Sequence, residues 1–93
     1  MNSDTEIKKL VEWDLPHFSG NEEHFFFGLK EIEHHLPELR DLYQSKNPHL
    51  YDEVADVYIW AKMLLLTQNV SEGTILQRVN RFREKIKQFR KLE

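Results

Sequence analysis

Residues 51–67 read YDEVADVYIWAKMLLLT, the most hydrophobic run of the chain, yet Glu53 and Asp56 stand near its start. On a helix, two residues three apart lie side by side on one face. An apolar helix normally excludes such a pair, because a buried carboxylate is costly unless a partner or a metal neutralises it. The same face continues through Trp60, Met63 and Thr67. Leu50, Val54, Val57, Ala61, Leu64 and Leu65 form the opposite stripe, with the spacing of a core seam. The expectation is a central helix from about His49 to Gln68 that buries this seam and presents acids followed by an indole on its other side. The plainer reading places Glu53 and Asp56 in partly exposed first turns, where acids complement the helix dipole.

Partners for this acidic pair lie immediately upstream. Glu38 and Asp41 are again three apart, so the chain contains two ExxD pairs on successive helical segments. Glu31, His35 and Glu38 share a face if the helix passes through Pro37. Oxygen ligands drawn from two helices suit Mg²⁺ or Mn²⁺, and helical bundles build metal sites in this way. Against this, Glu38 and Asp41 also read as ordinary surface acids. Proline inside a helix removes a hydrogen bond and clashes with the preceding turn, so a kink or a fresh start is expected near His35–Leu36.

The remaining segments are also helical. The chain has only 3 Gly and 3 Pro and no sustained strand-like alternation, which gives an all-α reading: a small bundle of four to five helices. Asp4 or Ser3 can cap a first helix ending near Trp13, and residues 15–21, LPHFSGN, form a connector with Ser19 or Asn21 as the next cap. Residues 1–20 are thus an N-terminal helix and connector, and residues 21–93 the bundle core of a single domain. Phe25, Phe26 and Phe27 cannot all face one core, so at least one is expected to meet another subunit of a homo-oligomer. Ser71 caps the final helix, where Ile75, Val79, Phe82, Ile86 and Phe89 alternate four- and three-residue steps in a seam expected to enter the core. The other faces of that helix are basic: Arg78, Arg81, Arg83, Lys85, Lys87, Arg90 and Lys91.

Composition narrows the function classes. Hydrophobic residues at 40% and charged residues at 31% fit a globular chain rather than a disordered one. Without cysteine there is no disulfide framework and no thiolate metal site. The N-terminus lacks the apolar run of a signal peptide and no window reaches membrane-span length, so a cytoplasmic protein is expected. Residues 1–56 hold 13 acids and 5 bases, and residues 57–93 hold 3 acids and 8 bases. The acidic part suits cations; the basic end suits phosphates, an acidic partner, or the opposite end of another subunit. No HxxxH or HExxH spacing occurs among the five His, which argues against a zinc enzyme. The basic final helix has no helix-turn-helix companion, which argues against specific DNA binding.

Residues 49–65, HLYDEVADVYIWAKMLL, followed by residues 69–85, NVSEGTILQRVNRFREK, resemble the second half of the MazG-like, all-α nucleoside triphosphate pyrophosphohydrolases. The resemblance covers about residues 29–90. It implies a MazG-like bundle in which an ExxD and a preceding ExxE hold Mg²⁺, and water attacks the α-phosphorus of a nucleoside triphosphate to release pyrophosphate. The ExxD maps onto Glu53 and Asp56, and the phosphate-contacting residues onto Arg78, Asn80 and Arg83. The ExxE has no full counterpart. Aligning HHLPEL keeps Glu38 and puts His35 in the first place, whereas an earlier alignment keeps Glu31 with His34 in the second. The metal set implied is therefore His35, Glu38, Glu53 and Asp56, with Mn²⁺ favoured over Mg²⁺ where imidazole is a ligand. Glu53, Asp56 and Glu38 would be the catalytic residues, and Trp60 would stack a nucleobase. The rival expectation is a non-catalytic helical interaction protein, regulatory, antitoxin-like or immunity-like, that carries the fold without the chemistry.

Overall fold

A computed structural model describes residues 2–90, with side chains for residues 2–89. Four α-helices, α1 (Ser3–Asp14), α2 (Asn21–Gln44), α3 (His49–Thr67) and α4 (Glu72–Arg90), and a 3-10 turn at Leu15–His17 account for most of them, and no strand occurs among the described residues. The all-α reading is met. Asn2 caps α1, its Oδ1 accepting from Thr5 N at 2.9 Å. Neither Ser19 nor Asn21 caps α2; Gly20 holds that position without a side-chain bond. Ser71 does cap α4, its Oγ accepting from Thr74 N at 3.2 Å.

The break expected near His35–Leu36 does not occur. Helix α2 runs unbroken for 24 residues with Pro37 inside it. Proline there forfeits one hydrogen bond and crowds the carbonyl of Glu33, a cost of about 3 kcal/mol. Packing of α2 along α3, with half-buried His35, Leu39 and Leu42 on either side of the proline, offsets that cost. Both α2 and α3 then end in Schellman motifs. Lys46 (φ 57°) and Asn69 (φ 55°) adopt the left-handed conformation. The following N–H groups reach back, Asn47 N to Leu42 O at 2.9 Å and Val70 N to Leu65 O at 3.1 Å, satisfying carbonyls that each helix end leaves free.

The antiparallel pair α2–α3, with α1 laid against α3, forms the packed part of the molecule. Close approach is set by Gly28, where a Cβ would sit 2.6 Å from Leu64 Cδ2 and 3.1 Å from Trp60 Cε3. That approach turns α3 away from the expected orientation. Glu53, Met63 and Thr67 of the acid-and-indole face are buried, and of the expected seam Leu64 is buried whereas Val54 and Ala61 are exposed. The inner face thus joins Leu64 of the seam to most of the acid-and-indole face, with Asp56 left exposed. A second correction concerns α4. It makes no sustained packing with the other helices, and every residue from Leu76 to Phe89 is exposed, so its apolar seam enters no core within the chain. Lys91 lies outside the described residues.

Candidate metal centre

Three helical positions converge where α2 and α3 run past each other. His35 lies on α2, and Glu53 and Asp56 lie on successive turns of α3. One ligand atom from each lies within 4.8 Å of the other two. His35 Nδ1 is 3.2 Å from Glu53 Oε2, and its Nε2 is 3.7 Å from Asp56 Oδ2. The imidazole therefore sits between two carboxylates. His49, at the first turn of α3, brings Nε2 to 3.1 Å from Glu53 Oε1, and its Nδ1 lies 3.3 Å from Asp52 Oδ2.

Burial grades across this group. Glu53 retains only 9% of its surface, and the Asp56 side chain retains 50%. One side of the cluster is enclosed by the helix pair and the other opens to solvent. His35 Nδ1 and Glu53 Oε2 are both buried and form a close ion pair whose atoms are not aligned for a hydrogen bond. Ligands around one transition-metal ion, each at about 2.1 Å, lie roughly 3–4 Å apart. The His35 contacts to Glu53 and Asp56 use different ring nitrogens, so a single ion would be held by one of them, with the ligand atoms drawn in from their 4.8 Å spread.

Glu38 is exposed and its carboxylate is not part of the group, and the same holds for Asp41. Glu31 and His34 also stand outside it. Trp60 is half-buried and engaged by other rings, 5.6 Å from Phe27 and 6.0 Å from His24 between centroids, so its indole is committed to an aromatic cluster. Arg78, Asn80 and Arg83 lie on exposed α4, where Arg83 Nη1 donates to Asn80 Oδ1 at 2.8 Å and the Arg78 guanidinium stands over the Phe82 ring. No packing within the chain carries them to the carboxylates.

His49 is a member of the cluster that sequence reasoning missed. Its signal was present as the four-residue spacing between His49 and Glu53, which places them one turn apart. The fully buried His24 was missed as well. Its Nε2 lies 3.0 Å from Asp14 Oδ2, tying α2 to the end of α1, and Phe18 meets its ring edge-on at 5.0 Å. Nothing in the local sequence distinguishes this histidine, since its partner is on another element. Comparison of the chain with family models, with curated proteins and with solved structures gives no match.

Proposed function

We propose that the protein binds one divalent transition-metal cation through His35, Glu53 and Asp56, and that the centre serves hydrolysis of a nucleoside triphosphate to monophosphate and pyrophosphate. The observation that carries the metal reading is the convergence of His35, Glu53 and Asp56, one ligand atom of each lying within 4.8 Å of the others. The reaction class rests on the resemblance of residues 49–85 to the MazG-like pyrophosphohydrolases. A mixed imidazole and carboxylate donor set suits Mn²⁺ and its later neighbours better than Mg²⁺, which prefers oxygen alone.

A cation held here would polarise a phosphoryl oxygen and supply a hydroxide-like water near neutral pH. The residues themselves have separable tasks. Glu53, enclosed and braced by His49, fixes one donor direction; half-exposed Asp56 faces the solvent side, where a triphosphate would approach. His35 stands where a carboxylate would, which removes one negative charge that a polyanionic substrate would meet. A second reading, a non-catalytic interaction protein, is favoured by one specific observation: the uncovered apolar seam of α4.

Thermal melting with millimolar Mn²⁺ or Mg²⁺ tests the metal centre, because a cation bound only by the folded state raises Tm by mass action. The expected result is a clear rise with Mn²⁺, a smaller one with Mg²⁺, and loss of the shift in Glu53→Gln and Asp56→Asn. Pyrophosphate release from a panel of nucleoside triphosphates with the same metals then separates the two readings. A metal-induced shift without pyrophosphate leaves the interaction protein; no shift with either metal removes the centre.

A further inference from the structure

The chain exposes more surface than a folded protein of its size should. Its accessible surface is 7599 Å². A compact chain of 11.3 kDa exposes about 5,700 Å², so the excess is about 1,900 Å². The radius of gyration, 15.9 Å, likewise exceeds the roughly 12 Å of a compact domain of this length. Helix α4 is the main cause: about 28 Å long by its 19 residues, it carries Val79, Phe82, Ile86 and Phe89 exposed on one stripe.

A complementary surface exists on the same chain. At the turn between α2 and α3, Leu42, Tyr43, Leu50 and Tyr51 line one hollow together with Lys46, and Val54 and Tyr58 continue an exposed apolar stripe along α3. Asp41, Asp52 and Asp56 are exposed on the same two helices, whereas the flanks of the α4 seam carry Arg78, Arg81, Arg83, Lys85 and Lys87. Two α4 helices laid on each other would set like charges together. A basic helix laid on this acidic pair joins opposite charges and covers both apolar stripes.

We infer that α4 of one molecule docks on the α2–α3 pair of a second copy, and that the second copy's α4 docks back, closing a two-fold homodimer. A surface and its complement on one chain close reciprocally under two-fold symmetry. Burying the excess on both copies would remove about 3,800 Å², within the range of obligate homodimers. This inference does not require the metal centre: Asp56 belongs to both surfaces, and of the acids the test uses Asp41 and Asp52 alone.

The test uses the full-length chain. Light-scattering mass at tens of micromolar should be that of a dimer, and should fall to that of a monomer in Phe82→Asp, which strikes the seam, and in Tyr51→Asp, which strikes the receiving hollow. Each substitution should weaken association by about thirtyfold or more, the loss expected at a buried aromatic anchor. Mixing the two variants should restore a dimer, because one α4 and one receiving surface remain intact in the mixed pair. An α4–α4 dimer gives no such recovery. Should either variant fail to fold, carbodiimide cross-linking of a mixture of unlabelled and ¹⁵N-labelled wild type gives the same answer. Links from Lys85 or Lys87 to Asp41 or Asp52 should join light chains to heavy ones. A monomeric wild type, links confined to single chains, or a mixture of folded variants that stays monomeric would overturn the proposal.

Discussion

Helices α3 and α4 are equally long, 19 residues each, and they reverse the usual distribution of polarity. On α3 the inner face includes Glu53 and Thr67, while Val54 and Tyr58 face outward. On α4 a regular apolar seam has no cover, with Phe82 54% exposed and Phe89 76% exposed. The first helix buries groups that need partners; the second exposes groups that need burial. Polar burial needs specific partners: Glu53 finds them in His35 of α2 and His49 of α3, and the Thr67 hydroxyl donates to the Leu64 carbonyl. Apolar burial needs only area, and the single chain lacks enough of it. The difference teaches that one fold can be complete around a polar cluster and incomplete around an apolar stripe.

The largest effect should come from emptying the apolar part of the α3 inner face. Met63 and Leu64 are the most enclosed hydrophobic side chains of that helix, and Met63→Ala or Leu64→Ala should cost about 2–5 kcal/mol in chemical denaturation. A loss below 1 kcal/mol would mean that α3 packs on a different face. Next in size is Gly28→Val, which forces side-chain atoms into Leu64 and Trp60 where even a Cβ is too close. Overpacking of this kind costs about 1–3 kcal/mol, measured in the same way.

Replacing the buried acid sharpens the comparison from the polar side. Replacing the buried pair together, Glu53→Leu with His35→Leu, measured without added metal, should leave stability unchanged or raise it by about 1 kcal/mol, since a buried ion pair seldom outperforms apolar side chains of similar volume. The same variant should lose every metal-induced shift in Tm. A steep loss of stability without metal would show that the ion pairs with His35 and His49, not a ligand, are the reason for the cluster. The smallest effect belongs to α4. At dilutions where the chain is monomeric, Phe82→Ala should change unfolding free energy by no more than about 0.5 kcal/mol, as for other exposed positions.

Much of the architecture was legible in the residues. The scarcity of Gly and Pro, the Ser71 cap and the spacing of apolar positions sufficed for an all-α chain with helices close to their observed bounds, although the caps of α1 and α2 fell on Asn2 and Gly20 instead of the residues expected. The close relation of Glu53 and Asp56 followed from their three-residue spacing alone. Two readings failed for the same reason. Pro37 was expected to break α2 because local propensity disfavours it, and the α4 seam was expected in a core because its period is regular. Both inferences treat a helix as if its own sequence decided its surroundings.

What the sequence by itself determined is therefore local: which segments are helical, where they end, and which residues share a face of each. Backbone hydrogen bonding and side-chain period are fixed within a few residues, so they can be read along the chain. What only the tertiary structure decided is which face turns inward. Gly28 lets α2 and α3 approach closely enough for Trp60 and Leu64 to seat against it, and that contact rotates Glu53 inward to meet His35. His35 and Glu53 are 18 positions apart, and no local pattern encodes their meeting. It arises because rotating a helix to bury its best-fitting side chains carries every other side chain with it.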